Sequence, residues 1–216
     1  MRICEIFYSI AGESTDAGRP CVFIRFTGCN LRCNWCDTKY SYREGKDLEI
    51  DRIVAEASSY GCKFICLTGG EPLMRNLKAL VRSLQRESFE IQIETNGSKP
   101  IYEHPNSSLG VRWVMDMKCP SSGESGKMNF DNLSTLTEKD DLKFVVADEK
   151  DFEWATSIVN TYKPKCQILF SPVWGQIDLE HLVELVKDYS VEQPLLNIRM
   201  QLQMHKIIWD PTEREV

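Results

Sequence analysis

Residues 63–97 read KFICLTGGEPLMRNLKALVRSLQRESFEIQIETNG, and this stretch decides the fold class. A short apolar run over 63–68 is followed by apolar residues at i, i+3, i+4 and i+7, which are Leu77, Leu80, Val81 and Leu84. A second short run follows over 90–94. The spacing predicts a helix with one buried face between two largely buried strands. Such a unit is typical of a right-handed crossover between parallel strands.

The same pattern extends in both directions along the chain. Further strands are predicted over 2–8, 21–26, 111–117, 142–147 and 167–171, further helices around 50–57 and 179–186, and loops over 105–110 and 121–127. With 216 residues the chain is short for eight full strand–helix units, which usually take about 250. We therefore expect one domain over 1–216, an open, partial β/α barrel of about six mostly parallel strands with helices outside. A doubly wound open sheet is the alternative.

Composition excludes several classes of function. A formal net charge of -6 provides no positive field for nucleic acid or anionic lipid, so we expect neither as a partner. The most apolar windows fall far short of the ~20 residues that cross a bilayer, and the first five residues do not read as a signal peptide. Nine cysteines are too few for a disulfide scaffold. We expect a cytoplasmic protein with chemically active cysteines.

Three cysteines form a compact motif directly after the strand predicted over 21–26. Cys29, Cys33 and Cys36 have the spacing Cys-x3-Cys-x2-Cys, so three thiolates can converge on one metal centre. A structural zinc site takes four ligands, and an electron-transfer [4Fe-4S] cluster takes four cysteines. Cys62 or Cys66 could supply the fourth, although core packing is the favoured interpretation of both. Three ligands on a four-iron cluster would leave one iron open for a chelating cosubstrate.

This motif resembles that of the radical S-adenosylmethionine enzymes. In that superfamily the open iron of a [4Fe-4S] cluster binds S-adenosylmethionine, and reductive cleavage gives a 5'-deoxyadenosyl radical that abstracts a substrate hydrogen. The segment Thr68-Gly69-Gly70-Glu71-Pro72 is similar to the superfamily's Gly-Gly-Glu-Pro turn, and Glu94-Thr95-Asn96-Gly97 also fits. The cofactor contacts that the resemblance implies are Trp35, Asp37, Gly70, Glu71, Asp116, Lys118, Ser171 and Pro172.

A narrower resemblance covers essentially the whole chain. Residues 7–14 and 18–38, together with Asp116-Met117-Lys118, Lys143-Phe144-Val145-Val146, Ser171-Pro172 and Gln203-Met204-His205-Lys206, resemble the 7-carboxy-7-deazaguanine synthase family. The resemblance implies a carbon–nitrogen lyase of queuosine and deazapurine biosynthesis that requires Mg2+. Its reaction converts 6-carboxy-5,6,7,8-tetrahydropterin to 7-carboxy-7-deazaguanine with release of ammonia. One departure is Ala11, where the family usually has a Gln whose amide could bind substrate.

The same resemblance assigns the substrate side of the site. The implied substrate contacts are Ile10, Ala11, Gly12, Glu13, Arg25, Thr68 and His205. Arg25 can bind a carboxylate bidentately, and Glu13 can accept hydrogen bonds from the pterin's amino and ring N–H groups. Thr38 is the implied Mg2+ ligand, in keeping with that ion's preference for oxygen. His205 would be a hydrogen-bond partner, carried by a C-terminal tail of about 199–216 that closes over the substrate.

Two further expectations concern partners. The family implies an external one-electron reductant such as flavodoxin or ferredoxin, and a homodimer.

Two other functions remain open. An activase that installs a glycyl radical on a partner protein would need a pocket wide enough for a protein loop. An iron–sulfur electron carrier would need a fourth cysteine ligand and would leave the Gly-Gly-Glu-Pro turn unexplained.

Overall fold

The computed structural model describes residues 1–101 and 111–216, so the loop predicted over 105–110 lies outside the described residues. The strands are β1 (Arg2–Ile10), β2 (Pro20–Phe26), β3 (Lys46–Asp47), β4 (Phe64–Gly69), β5 (Glu90–Thr95), β6 (Val111–Met117), β7 (Asp141–Val146), β8 (Gln167–Pro172) and β9 (Ile198–Met200). The helices are α1 (Ile50–Ser59), α2 (Lys78–Arg86), α3 (Asn132–Thr135), α4 (Glu149–Tyr162), α5 (Leu179–Glu192) and α6 (His205–Ile208).

The nine strands of the described residues form one sheet in the order β3-β1-β2-β4-β5-β6-β7-β8-β9. From β2 through β4 to β9 each strand runs parallel to its neighbour, whereas β1 is antiparallel to both β2 and β3. The parallel strands follow chain order without the reversal that defines a doubly wound sheet. The predicted partial barrel of mostly parallel strands is therefore confirmed. The sheet exceeds the expected six strands because β1, the two-residue β3 and the short β9 extend its edges.

The helices predicted from apolar spacing are present. Helix α2 buries its expected face, whereas Leu179 and Val183 of the face expected for α5 are exposed. Leu80, Val81 and Leu84 of α2 are buried, as are Leu182 and Val186 of α5. Sequence reasoning missed α4. That helix begins after Asp148, whose carboxylate accepts from the backbone N–H of Asp151 at 2.9 Å, and it buries Phe152, Ala155 and Val159. None of the helices in the described part of the chain is long and apolar enough to cross a bilayer.

The loop between β1 and β2 closes the end of the barrel where the parallel strands begin. The backbone N–H of Thr15 donates to Asp141 Oδ2 at 2.9 Å, at the first residue of β7. Ser14 Oγ donates to Gln92 Oε1 at 3.1 Å, and Asp16 forms an ion pair with Arg112 near the start of β6. These contacts hold the loop against the starts of the parallel strands, and Glu13 of the loop lies inside the barrel.

Candidate active site

A cavity of about 590 Å³ lies within the partial barrel, bounded by the ends of the strands, the cysteine loop and the C-terminal tail. It brings together most of the residues that the sequence singled out. Those lining it are Ile10, Gly12, Glu13, Arg25, Cys29, Cys33, Trp35, Cys36, Asp37, Thr38, Thr68, Gly70, Asp116, Lys118 and His205. Active residues are expected at the carboxyl ends of parallel strands, and this arrangement follows that rule.

The cysteine loop is held in place by the segment after β6. Leu31 is buried in the core, the backbone N–H of Arg32 donates to Glu124 Oε1 at 2.6 Å, and the backbone N–H of Asn34 donates to the Ser122 carbonyl at 3.1 Å. Trp35 packs against a small apolar cluster that includes Val145. The loop therefore has a defined shape that presents its cysteines to the cavity.

Three cysteines line the cavity, one fewer than the four ligands that a structural zinc site takes, and this number suits a four-iron cluster with one open iron. Across residues 1–101 and 111–216, no three His, Cys, Asp or Glu side chains are grouped so as to hold a single metal ion. A cluster instead takes each thiolate on a different iron and suits donors that stand apart. Burial raises the pKa of the Cys29 thiol, and N–H contacts to its Sγ from Leu31 at 3.4 Å and Asn96 Nδ2 at 3.6 Å oppose that effect.

A fourth cysteine ligand is absent from the described lining of the cavity, where Cys29, Cys33 and Cys36 are the only cysteines. Cys62 and Cys66 pack in a separate apolar cluster with Cys21. This placement supports the interpretation of Cys62 and Cys66 as packing residues. Neither is placed to act as the fourth cysteine ligand that an electron carrier would need.

The Gly-Gly-Glu turn after β4 packs directly against the start of the cysteine loop. The N–H of Gly70 donates to the Phe26 carbonyl at 2.9 Å, and the N–H of Glu71 donates to the Gly28 carbonyl at 2.8 Å. A Cβ on Gly70 would lie 1.8 Å from the Gly28 oxygen. The absence of a side chain at residue 70 therefore allows the two segments to meet.

Glu71 lies beneath the cavity rather than in its lining. Its carboxylate accepts from the N–H of Leu73 at 2.9 Å, the Thr95 hydroxyl at 2.8 Å and the N–H of Asn96 at 2.7 Å. Burial raises the pKa of Glu71. Oε1 accepts two of these bonds and Oε2 one, so the side chain joins the glycine turn to the turn after β5. The cofactor contact expected of Glu71 stays a prediction.

Three other predicted contacts also lie outside the lining. The Ala11 side chain is buried against Cys21, Phe64 and Cys66, on the side opposite to the cavity that Ile10 and Gly12 line. Its backbone N–H and carbonyl form hydrogen bonds within the loop. Ser171 and Pro172, at the end of β8, are buried, and the next two residues line the cavity in their place. The Ala11 side chain therefore contributes no atom to the lining of this cavity.

A row of alternating charges crosses the cavity. Lys143 Nζ lies 2.5 Å from Glu13 Oε2 and 3.5 Å from Asp116 Oδ2, and Lys118 Nζ lies 2.9 Å from the same Asp116 oxygen. Burial acts to raise the pKa of Glu13, but Lys143 and the Gln203 amide outweigh it and lower that pKa below the ordinary glutamate value. Glu13 is therefore ionised in the cavity.

Sequence reasoning gave no role to Lys143, although a signal existed. It is the one charged residue in the apolar run 142–147, at a position where a parallel strand is normally apolar on both faces. Burial opposes its charge, but Glu13 and Asp116 raise its pKa. Lys143 therefore stays protonated between the two carboxylates.

The opposite wall carries Arg25, which is mostly buried. Its Nε donates to Glu5 Oε1 at 2.6 Å, and the Tyr40 hydroxyl donates to the same oxygen at 2.9 Å. The two terminal nitrogens of Arg25 make no hydrogen bond to any residue in the described part of the chain. The cavity therefore has a cation available for an anionic ligand.

The C-terminal tail forms the remaining wall. The N–H of Met204 donates to the Gly12 carbonyl at 3.0 Å, and Lys206 Nζ lies 2.8 Å from Asp37 Oδ2. His205 lies against Gly12, where a Cβ would be 2.6 Å from His205 Nδ1. Burial lowers the pKa of His205, which favours the neutral imidazole. Residues 211–216 also line the cavity.

Comparison with known proteins agrees with this geometry. The family model of the radical SAM superfamily matches residues 23–105. The chain is 36% identical to a 7-carboxy-7-deazaguanine synthase of Koribacter versatilis, with 100% of both chains covered. It is 38% identical to one of Methanospirillum hungatei, covering 98% of this chain and 86% of the relative, and 38% identical to one of Clostridium acetobutylicum, covering 100% and 99%.

A solved structure shares the fold. The crystal structure of QueE from Escherichia coli matches with a TM-score of 0.75 at 21% identity, covering 93% of each chain. The partial barrel, the three-cysteine loop and the superfamily match define a radical S-adenosylmethionine enzyme. Its similarity to the named relatives extends over the full length of the chain. The chain belongs to the 7-carboxy-7-deazaguanine synthase family.

Proposed function

We propose that this chain converts 6-carboxy-5,6,7,8-tetrahydropterin to 7-carboxy-7-deazaguanine with loss of ammonia. Release of one ammonia accounts for the whole difference in composition between the two heterocycles. The observation that carries the proposal is that the cluster-binding thiols and the Arg25 guanidinium line the same cavity. A cavity of about 590 Å³ walled by the tail suits a small heterocycle and not the protein loop that an activase must admit.

Cys29, Cys33 and Cys36 would hold the [4Fe-4S] cluster. When bound, the cluster and S-adenosylmethionine supply the radical chemistry that begins the rearrangement. Trp35, Asp37, Gly70, Asp116 and Lys118 line the cavity where the cofactor would bind. Within the described residues the buried Asp116 Oδ1 has no hydrogen-bond partner, which suits an acceptor for a cofactor N–H or hydroxyl. Glu71, which lies behind the glycine turn, keeps the cofactor contact that the family implies.

The substrate would lie between Arg25 and Glu13. Arg25 offers its terminal nitrogens to the carboxylate, a pairing that is strong when both groups are ionised. Glu13, held ionised by Lys143, accepts hydrogen bonds from the N–H groups of the pterin. Thr38 provides a hydroxyl oxygen for Mg2+, which binds few protein ligands and keeps several waters. His205, as the neutral imidazole, contributes a hydrogen bond from the tail.

The remaining assignments also belong to this proposal. We infer that residues 1–216 work as one unit and that the tail from about residue 199 closes over the substrate. Its contacts with Gly12 and Asp37 support this role. An external one-electron donor such as flavodoxin or ferredoxin and a homodimer are proposed from the family. The nine free cysteines suit a reducing compartment, so we place the reaction in the cytoplasm.

An anaerobic reaction analysed by mass spectrometry tests this function. Cluster-reconstituted, reduced protein with S-adenosylmethionine, Mg2+ and 6-carboxytetrahydropterin should yield 7-carboxy-7-deazaguanine. Cys33→Ala should abolish the product because two thiolates do not secure the cluster, and its iron content should fall accordingly. A wild-type protein with an intact cluster that forms no product from this pterin would contradict the proposal.

A further inference from the structure

The candidate carboxylate-binding residue has a buried partner behind it. Antiparallel pairing of β1 with β2 places Glu5 directly opposite Arg25. The Glu5 side chain is only 5% exposed and does not line the cavity, whereas Arg25 does. Facing residues in an antiparallel pair lie close enough for their side chains to interact. The register of the hairpin thus brings a carboxylate to the rear of the Arg25 guanidinium.

The contact uses one side of the guanidinium only. Arginine has five N–H donors, and Glu5 Oε1 takes the one on Nε at 2.6 Å. The two terminal nitrogens donate no hydrogen bond to any residue of 1–101 or 111–216, so their donors remain for a ligand in the cavity. A guanidinium held in this way keeps its orientation while the cavity is empty, so a carboxylate binds without first ordering a long side chain.

Tyr40 stabilises the same carboxylate from a different segment. Its hydroxyl donates to Glu5 Oε1 at 2.9 Å, and its ring, which lines the cavity, packs under the Arg214 guanidinium at 3.5 Å. Two donors converging on one oxygen leave Glu5 little freedom to turn. The orientation of Arg25 therefore depends on the strand pairing and on the segment that follows the cysteine loop.

We propose that Glu5 and Tyr40 are positioning residues that orient Arg25 to bind the substrate carboxylate. The inference rests on the proposed function, since it takes a carboxylated pterin as the ligand. It assigns to both residues a contribution to selectivity: they strengthen binding of the carboxylated pterin relative to one that lacks the carboxyl.

The test compares two ligands on the reconstituted holoenzyme with S-adenosylmethionine bound. Dissociation constants are measured for 6-carboxytetrahydropterin and for tetrahydropterin without the carboxyl group. Glu5→Gln and Tyr40→Phe should each weaken binding of the carboxylated pterin, Glu5→Gln by about tenfold, and leave the other pterin unchanged. In an Arg25→Ala background the same two changes should have no further effect, as expected of residues that act through Arg25.

Tyr60→Phe is the matched control. The Tyr60 hydroxyl also bonds to β1, at the Ile6 carbonyl, but Tyr60 does not line the cavity. This variant should bind both pterins as the wild type does. If Glu5→Gln does not fold, Tyr40→Phe carries the test, since it removes a single hydroxyl.

Two results would overturn the inference alone. The first is equal weakening for both pterins, which is the signature of a general structural role. The second is unchanged binding of the carboxylated pterin in both variants. A wild-type holoenzyme that binds neither pterin would instead overturn the proposed function, and the inference with it.

Discussion

The methyl side chain added by Gly12→Ala should disturb the tail without disturbing the cluster. In Gly12→Ala the new Cβ would lie 2.6 Å from His205 Nδ1 and 3.3 Å from the His205 backbone nitrogen, so the imidazole must move. Overpacking of this kind costs about 1–3 kcal/mol. We expect KM for the carboxylated pterin to rise by about tenfold, which corresponds to about 1.4 kcal/mol, with iron content unchanged.

Gly126→Ala serves as the control for that variant, because a Cβ there meets no atom within 4 Å. Its kinetics should match the wild type. A Gly12→Ala enzyme with wild-type KM would show that His205 and the tail do not contribute to substrate binding.

At the same scale, residues in local motifs could be predicted and residues fixed by partners could not. Cys29, Cys33 and Cys36 belong to a local motif, and Arg25 belongs to the strand before it. All four residues line the cavity. Glu5 acquires its place from the register between two strands, and Lys143 from a loop more than a hundred positions away. Neither distance nor register can be read from a local pattern.

At the scale of elements, the turn after β4 and the cysteine loop should behave as one unit. In Gly70→Ala the Cβ would lie 1.8 Å from the Gly28 carbonyl oxygen, and backbone cannot rotate away as a side chain can. We expect lower iron and sulfide content per chain after reconstitution, while far-ultraviolet circular dichroism stays close to wild type. Full cluster content in this variant would show that the two segments are not coupled.

Predictability of the elements followed the clarity of their patterns. The spacing Leu77, Leu80, Val81 and Leu84 located α2 to within two residues at each end. Helix α4 was missed although Phe152, Ala155 and Val159 recur at i, i+3 and i+7, because the i+4 position is the polar Thr156. The antiparallel direction of β1 depends on the path of the loop over 11–19, which apolar periodicity does not encode.

At the scale of the whole molecule, the fold places the cysteine loop and the charged Glu13 at a common cavity. The parallel strands carry the cysteine loop and the glycine turn at their carboxyl ends, whereas the loop before β2 enters from the other end with Glu13. The tail then bridges both, bonding Gly12 through Met204 and Asp37 through Lys206. Only the folded chain brings residues near both termini to one cavity. Spacing alone therefore did not predict the place of the tail, which the family resemblance implied.

The most direct measurement is the ratio of 7-carboxy-7-deazaguanine to 5'-deoxyadenosine in one anaerobic time course with the wild-type holoenzyme. If the cavity holds the carboxylated pterin beside a cofactor that is regenerated, the product should exceed 5'-deoxyadenosine at every time point. Accumulation of 5'-deoxyadenosine without 7-carboxy-7-deazaguanine would contradict the account, because the radical chemistry would then be acting without its proposed substrate.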